Sequence, residues 1–377
     1  MFSLTEARTV NWDTGPSEQT MASWLKKLFG SPSVPPPAAT PAPSPTPRPA
    51  APASAIREPA PTTPGGPPTE RSHLALLAKF KHGSDPASAA QDYWANVLPD
   101  TVPNTLALFR RNGWLVDAPW QQVFATQHRV DELKPLLNER GLKVSGKKDE
   151  LVERLIAADP EAMRLRVAGV KAWILSALAE CPVDNYLARE RDAEAVAQST
   201  AMDSLRAGNL DAAVSTIVAF ERTRLFPRGI GIDWHGEGIG RHLAERARNI
   251  LKASPGILRD VPEHELALLR PVAAMLELTG ESRAKAWLPP GLVGHPRLDV
   301  ETVVRMLLFH GSNMATLEGM RANGHKKVEV SGGGDSCPAC SAMDGKKFAL
   351  SKAPELPHPG CTHAMGCRCL YQAVFEE

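Results

Sequence analysis

Five of the six cysteines lie close together near the C-terminal end of the sequence. Cys337 and Cys340 are separated by two residues in the run CPAC, so both sulfurs can face one ion. The remaining three are Cys361, Cys367 and Cys369. Clustered thiolates at such spacings are typical of zinc sites, whereas disulfides are rare in a reducing compartment. The sequence therefore predicts a metal centre in the tail.

We expect the metal to be a structural Zn²⁺, because zinc takes four thiolate or imidazole ligands tetrahedrally. The predicted ligands are Cys337 and Cys340 with two of the three later cysteines. His358 and His363 lie nearby, and His363 is the first reserve ligand. The alternative is a set of surface cysteines without metal. Since the tail has few apolar residues, metal would supply most of its folding free energy, on the order of 10–16 kcal/mol.

Catalytic zinc chemistry is not indicated by these residues. A hydrolytic site keeps one position open for water and places a carboxylate beside it. Asp335, Asp344 and Glu355 do not fall at a spacing that suggests such a site. An HNH-type nuclease with His358 or His363 in the chemistry remains the enzymatic alternative, although no helix is predicted after them. We assign no catalytic residue, and we expect Cys181 to be a buried apolar residue.

The stretch Arg129–Pro160 predicts two short amphipathic helices joined by a turn. Its apolar residues recur at helical spacing. Gly141 occupies the place where the first helix must end, which favours a left-handed residue. Ser145 is predicted to cap the second helix, and Pro160 to end it. The apolar residues are Val130, Leu133, Leu137, Leu142, Leu151, Leu155 and Ile156.

The runs V-x-E-L-K, R-G-L-x-x-S-G-K-K and L-x-x-R-L in this stretch resemble the SAP motif. The resemblance covers residues 129–160 and implies DNA binding, mostly without strong sequence preference. It also implies that the contacts come from the turn and the start of the second helix. The residues concerned are Lys143, Ser145, Gly146, Lys147, Lys148 and Arg154.

Elementary electrostatics supports a local contact at this turn. The N-terminus of a helix offers free N–H groups and a positive dipole end to a phosphate. Acidic residues nearly cancel the basic ones over the whole motif, so we expect weak, non-specific binding to double-stranded DNA, on the order of 10⁻⁴–10⁻⁶ M. The alternative is a helical hairpin with a solvated lysine face.

The tail carries a second resemblance. The runs CPACxxxDGKKF, PHPxC and CRC, followed by a hydrophobic strand, resemble the C-terminal segment of Mu F-like phage head-morphogenesis proteins. This chain departs from that pattern, because THAMG separates HPxC from CRC. The resemblance implies a bacterial or prophage protein that handles DNA.

Composition predicts a mainly helical protein with a β-rich zinc module at its end. A formal net charge of +1 gives no global attraction to nucleic acid or membrane. The sequence has no apolar run near the ~20 residues of a spanning helix and no secretory signal, so we expect a cytoplasmic protein. The predicted domains are a disordered region at 1–71, a helical domain containing the SAP motif at 72–160, a helical domain at 161–325 and a zinc module at 326–377.

Within the first region, residues 21–30 are predicted either to form a short amphipathic segment that docks on a protein partner or to be a frayed terminus, because a helix this short is marginal alone. Residues 31–68 are a proline-rich linker that cannot form a core. Five aromatic residues are expected to pack the first helices against the SAP hairpin; they are Trp94, Phe109, Trp114, Trp120 and Phe124. The predicted helices are 73–82, 87–98, 104–112, 163–180, 184–207, 209–222, 241–252, 263–279 and 300–309, with a polar loop or broken helix after the last.

The residues together predict a non-enzymatic DNA-binding protein in which a SAP hairpin touches the DNA backbone and a zinc module provides a rigid surface. An HNH-like zinc nuclease is one alternative. A structural protein of phage head assembly, using the hairpin for protein contacts, is the other.

Overall fold

The computed structural model describes residues 66–229 and 231–374. The body considered below comprises residues 66–228 and 233–374. It is mainly helical, as predicted, and contains two small sheets, of which only the C-terminal one was expected. The expectations for residues 1–65, including the amphipathic segment 21–30 and most of the linker 31–68, lie outside the described residues. None of the helices in the described part of the chain has the length and apolarity needed to cross a membrane.

Twelve α-helices and five strands make up this described part. The helices are α1 (Arg71–Leu77), α2 (Val102–Arg111), α3 (Trp120–Gln127), α4 (Val130–Glu139), α5 (Lys148–Ala158), α6 (Pro160–Arg166), α7 (Ala177–Arg206), α8 (Leu210–Thr223), α9 (Ile239–Leu251), α10 (Glu263–Thr279), α11 (Val300–Ala322) and α12 (Pro338–Ser341). The strands are β1 (Leu115–Asp117), β2 (Trp173–Leu175), β3 (Lys327–Ser331), β4 (Lys347–Ala349) and β5 (Leu370–Ala373).

Two helices that have a clear capping residue begin at or next to the residue predicted from the sequence. The Asn209 side chain accepts a hydrogen bond from the Ala212 N–H at 3.1 Å and begins α8. The Asp299 carboxylate accepts one from the Thr302 N–H at 2.6 Å and begins α11. Side-chain oxygens at these positions satisfy N–H groups that have no partner within the helix. Helix α10 has the predicted bounds as well.

The predicted helix 163–180 is wrong. Helix α6 ends at Arg166, Gly169 adopts a left-handed φ of 80°, and β2 follows. Strand β2 pairs antiparallel with β1, so that Leu115 lies opposite Leu175 and Asp117 opposite Trp173. A three-residue strand gives too short a pattern to be recognised inside helical sequence, because its stability comes from the partner strand.

The β1–β2 pair encloses the SAP hairpin. One hydrophobic cluster runs from Val123 to Ala172, wholly between the two strands, and contains the buried leucines of the hairpin. Two hydrogen bonds tie α3 to the chain before it, because Gln122 and Thr126 both donate to the carbonyl of His82, at 2.6 and 3.0 Å. The hairpin is therefore an insertion in the chain. Its two ends lie side by side, because β1 before it pairs with β2 after it.

The predicted packing of five aromatic residues is wrong for three of them. Trp94, Phe109 and Trp114 belong to a separate hydrophobic cluster built from α1, α2 and the start of α7. Only Trp120 and Phe124 pack in the cluster of the hairpin. A sequence shows which residues are aromatic and apolar. It does not show in which of the two adjacent hydrophobic clusters each one packs, because that depends on the β1–β2 pairing.

The predicted end of the helix at Phe309 is also wrong, because α11 continues through the polar run to Ala322. Gly311 is buried where α11 crosses α9. A Cβ atom at this position would lie 2.7 Å from the backbone nitrogen of Ile250 and 2.8 Å from its Cα. Glycine normally disfavours a helix interior. Here it allows two helix backbones to approach closely, and tertiary packing outweighs propensity.

The crossing predicts a position-specific effect of substitution. We expect Gly311→Ala to destabilise the protein by on the order of 1–3 kcal/mol, because the methyl group meets backbone atoms that cannot move aside. Urea unfolding followed by circular dichroism would measure this change.

Gly319→Ala on the same helix is the matched control, since no atom lies within 4 Å of a Cβ there. It should leave stability unchanged or raise it by up to about 1 kcal/mol. Equal stability of the two variants would contradict the proposed close crossing.

Candidate nucleic-acid interface and cysteine centre

The SAP hairpin has the predicted turn after its first helix. Gly141 is left-handed with φ 63°, and the N–H of Leu142 donates to the carbonyl of Leu137 at 2.9 Å. This bond satisfies a carbonyl at the helix end that has no partner within the helix. Leu133, Leu137 and Leu155 are fully buried, so the two helices are fixed against each other by their leucines, as predicted.

The start of the second helix differs from the prediction. Lys147, not Ser145, is the N-cap residue, and its side chain makes no capping hydrogen bond. Pro160 does not simply end α5, because it is also the first residue of α6, which the Asp159 side chain caps through the Ala162 N–H at 3.2 Å. Proline is well suited to this first position because it lacks an N–H group.

Most of the predicted DNA contacts are accessible to a ligand. Lys143, Ser145, Gly146 and Lys147 are exposed, and Lys148 is partly exposed. We call residues 143–148 the SAP turn. Asp149 and Glu150 occupy the first turn of α5 beside it, so the positive charge is confined to the SAP turn itself.

Arg154 has a structural task in this site. Its guanidinium donates to the carbonyl of Lys143 and, at 3.4 Å, to the carbonyl of Ser145. The Arg154 side chain on α5 thereby holds the exposed loop at two residues, Lys143 and Ser145. We infer that Arg154 positions the SAP turn, while a direct contact between Arg154 and phosphate stays a prediction.

The cysteine centre is assembled by a three-stranded sheet and its connections. The strand order is β4-β3-β5, with β3 antiparallel to both neighbours. Helix α12 begins directly after Cys337 and carries Cys340 on its single turn. The other cysteines lie on the connection from β4 to β5. These three short strands agree with the β-rich character predicted for the tail.

All five clustered cysteines are buried. Their sulfurs form two groups of three, and within each group all sulfurs lie within 4.8 Å of one another. Cys340 belongs to both groups; one adds Cys337 and Cys361, and the other adds Cys367 and Cys369. The Cys337–Cys361 and Cys340–Cys367 sulfur pairs are each 3.8 Å apart. Two thiolates on one tetrahedral zinc, with bonds of about 2.3 Å, are also about 3.8 Å apart.

Two of these thiols carry pKa values below the ordinary range of cysteine. Burial raises the pKa of Cys337, but hydrogen bonds from the backbone N–H groups of Thr362 and Cys340 outweigh it and lower the pKa to about 6. For Cys367, hydrogen bonds from the Cys369 thiol and the His358 N–H lower the pKa to about 5. The His358 nitrogen lies 3.2 Å from the Cys367 sulfur. Both groups are therefore thiolates at neutral pH, the form that binds metal.

The other three thiols are held in the protonated form without metal. Burial raises the pKa of both Cys340 and Cys361. The hydrogen bond to Cys367, followed by burial, raises the pKa of Cys369. A metal ion binds thiolate and displaces these protons, so its affinity rises with pH. The donor set is soft and sulfur-rich, which suits a thiophilic metal ion.

The histidines lie outside the two thiol groups. His363 Nε2 is 3.5 Å from the Asp335 carboxylate and 3.4 Å from the Arg368 guanidinium, and its Nδ1 accepts the Met365 N–H at 3.0 Å. His363 is thus occupied at both ring nitrogens. His358 Nδ1 is buried and has no hydrogen-bond partner among the described residues.

The tail packs on helices as well as around its cysteines, which the sequence analysis missed. The Cys367 N–H lies 3.3 Å from the Met306 sulfur, and Asn313 donates to the Cys369 carbonyl at 3.5 Å. Val328, Val330, Leu356 and Tyr371 share the hydrophobic cluster of α9, α10 and α11. Buried apolar area therefore adds to the folding free energy of the tail, which does not depend on metal alone.

The prediction for the sixth cysteine is wrong. Cys181 lies on α7 and is exposed. The neighbouring Ala179 and Val183 are the residues that turn inward there. Cys181 has no part in the cysteine centre and serves as an internal control for thiol chemistry.

Comparison with known proteins bears on the hairpin alone. Residues 129–160 match the SAP domain family, a general DNA-binding module. The match has the bounds predicted from the sequence. No curated protein and no solved structure matches the chain.

The hydrogen bonds of Arg154 predict how its variants behave. We expect Arg154→Lys, which keeps the charge, to weaken DNA binding about fivefold, since losing the paired hydrogen bonds to the turn corresponds to about 1 kcal/mol. Fluorescence anisotropy with a labelled duplex would measure the affinity. The salt dependence should stay that of the wild type.

The opposite pattern would assign Arg154 to a phosphate. In that case Arg154→Lys binds like the wild type, while Arg154→Ala loses about 0.9 from the slope of log affinity against log salt.

Proposed function

We propose that this protein binds the backbone of double-stranded DNA through the SAP turn, weakly and with little sequence preference. The observation that carries the proposal is the match of residues 129–160 to a DNA-binding module whose turn is exposed. Lys143, Lys147 and Lys148 supply positive charge next to the free N-terminus of α5. The small number of cations and the acidic first turn of α5 limit the affinity.

We further propose that four of the five cysteines of the tail bind a structural Zn²⁺. Cys340 is common to both thiol groups, so we assign it as one of the four ligands. Three of Cys337, Cys361, Cys367 and Cys369 supply the remaining ligands. When bound, zinc would join the turn before α12 to the connection between β4 and β5. The support comes from the burial of the thiols, their 3.8 Å separations and the N–H groups directed at two sulfurs.

A nuclease of HNH type finds no specific support in the site. Neither thiol group includes a histidine or a carboxylate. His363 is engaged by Asp335 and Arg368, and a strand rather than a helix follows Arg368. The resemblance of the tail to phage head-morphogenesis proteins stays a prediction, as do the domain boundaries and the docking of residues 21–30 on a protein.

The DNA proposal predicts the effect of reversing charge on the SAP turn. Lys147→Glu with Lys148→Glu should lower affinity for a duplex at least tenfold at 100 mM salt. The slope of log affinity against log salt should fall by about 2, because two phosphate contacts are lost at about 0.9 each. Anisotropy over a salt series, with duplex and single-stranded oligonucleotides in parallel, would measure both quantities.

Lys252→Glu with Lys285→Glu is the matched control, because these exposed lysines lie outside the SAP module and change the net charge equally. It should keep most of the affinity. If the two double variants behave alike, the SAP turn is not the contact surface.

The metal proposal predicts different results for two cysteine variants. Cys340→Ser should lose zinc, because Cys340 lies in both thiol groups, and thermal unfolding should occur at lower temperature. Cys181→Ser should keep about one zinc per chain. Elemental analysis of the purified proteins would test this, and full zinc retention by Cys340→Ser would overturn the ligand assignment.

A further inference from the structure

A small cavity lies beside Trp94, apart from the SAP turn and the cysteine centre. Its volume is about 110 Å³, well above the ~10–15 Å³ that one water molecule needs. The lining comes from three short 3₁₀ helices, Ala78–Phe80, Pro86–Ala89 and Asp92–Asn96, and from the connection between the first two. We call it the Trp94 cavity; its lining residues are Lys79, Ser84, Ser88, Ala89, Tyr93 and Trp94.

The cavity contains a cation that has no counter-ion. Lys79 is exposed, and it makes no hydrogen bond or ion pair with any residue in the described part of the chain. The nearby Lys81, by contrast, lies 2.6 Å from the Asp184 carboxylate. No carboxylate is part of the lining. The positive charge of Lys79 is therefore available to an anion.

Three hydroxyl groups also line the cavity. The Tyr93 hydroxyl has no hydrogen-bond partner among the residues that the structure describes. The Ser88 hydroxyl donates to the carbonyl of Asp85 at 2.7 Å, so in its 3.1 Å contact with the Ser84 hydroxyl the hydrogen belongs to Ser84. Tyr93 and Ser84 can thus turn a hydroxyl hydrogen toward a ligand.

Trp94 adds an unsatisfied donor to the wall of the cavity. The residue is 1% exposed, and its Nε1 atom is buried without a partner among the described residues. A buried indole N–H normally bonds an acceptor. The ring is packed against aromatic neighbours, with centroid distances of 5.4 Å to Tyr93 and 4.9 Å to Phe226. The site therefore holds several donors and lacks acceptors.

The lining is also fixed by bonds to a distant part of the chain. The N–H and the carbonyl of Ser84 bond to the carbonyl and the N–H of Trp173, both at 2.9 Å. Trp173 begins β2, so the cavity is attached to the strand that follows the SAP insertion. Ligand sites are usually preformed in this way, because a rigid lining reduces the entropy that is lost on binding.

We propose that the Trp94 cavity binds a phosphate group, either free inorganic phosphate or the phosphate of a small ester. Phosphate combines negative charge with several strong acceptor oxygens, which match an ammonium group, hydroxyl groups and an N–H group. Lys79 supplies the charge, as a point charge that suits phosphate. Tyr93 and Ser84 donate from their hydroxyl groups. This site does not depend on DNA binding by the SAP turn.

The test is a titration of the full-length protein with inorganic phosphate, followed by calorimetry and by NMR of ¹⁵N-labelled indole groups. The chain has eight tryptophans, and the signal that Trp94→Phe removes belongs to Trp94. Sodium chloride at the same ionic strength is the reference for screening. Glycerol 3-phosphate is the second ligand and distinguishes an ester from the free anion.

We expect saturable binding of phosphate and a shift of the Trp94 indole signal. Lys79→Gln should weaken binding at least tenfold, because a charged donor is lost. Tyr93→Phe keeps the ring and should weaken binding about fivefold, the loss of one hydrogen bond. Lys252→Gln is the matched control, because it removes an exposed lysine outside the cavity, and it should bind like the wild type.

Three results would overturn the inference. The first is a wild-type protein that shows no saturable binding at millimolar phosphate or that responds equally to chloride. The second is wild-type affinity in Lys79→Gln. The third is a Trp94 signal that stays in place while other indole signals move, because phosphate then binds elsewhere. Tighter binding of glycerol 3-phosphate than of phosphate would identify an ester as the ligand, and equal or weaker binding would identify the free anion.

Two features keep the test decisive. Unfolding temperatures of the Lys79, Tyr93 and Lys252 variants report whether each is folded, and calorimetry on them needs no substitution of the buried Trp94. Duplex DNA binding by Lys79→Gln should equal that of the wild type, so failure of the SAP proposal and failure of this inference are seen in separate measurements.

Discussion

The close crossing of α9 and α11 at Gly311 is the constraint on which the largest core depends. A side chain there would meet the backbone of Ile250. Helix α11 continues through a polar stretch at this crossing, and residues on both sides of Gly311 reach the tail. Met306 and Asn313 can then contact the backbone of Cys367 and Cys369. The cysteine centre is thus supported by helices that lie far from it in sequence.

The SAP hairpin depends on a different device. The short β1–β2 pair and the bonds from α3 to the carbonyl of His82 fix both ends of the insert. Within the insert, leucines set the angle of α4 and α5, and Arg154 holds the turn between them. The hydrophobic contacts provide stability, while the exposed backbone and lysines of the turn remain available for a ligand. Stability and binding thereby reside in different atoms of the same 32-residue match.

Charge is organised locally in this protein. The net charge is close to zero. The SAP turn departs from this balance, because Lys143, Lys147 and Lys148 lie together on an accessible loop. Association with a polyanion would therefore depend on salt and on these few lysines, since no long-range field from the whole molecule is present.

The sequence by itself determined the elements whose signals are local. The SAP bounds, the left-handed Gly141 and the cysteine cluster all follow from short spacings. Only the tertiary structure decided what depends on partners distant in sequence. It showed that β2 exists because β1 pairs with it, and that α11 continues because Gly311 fits against α9. It also assigned Trp94 and Phe124 to separate cores, since hydrophobicity is non-directional and does not specify a partner.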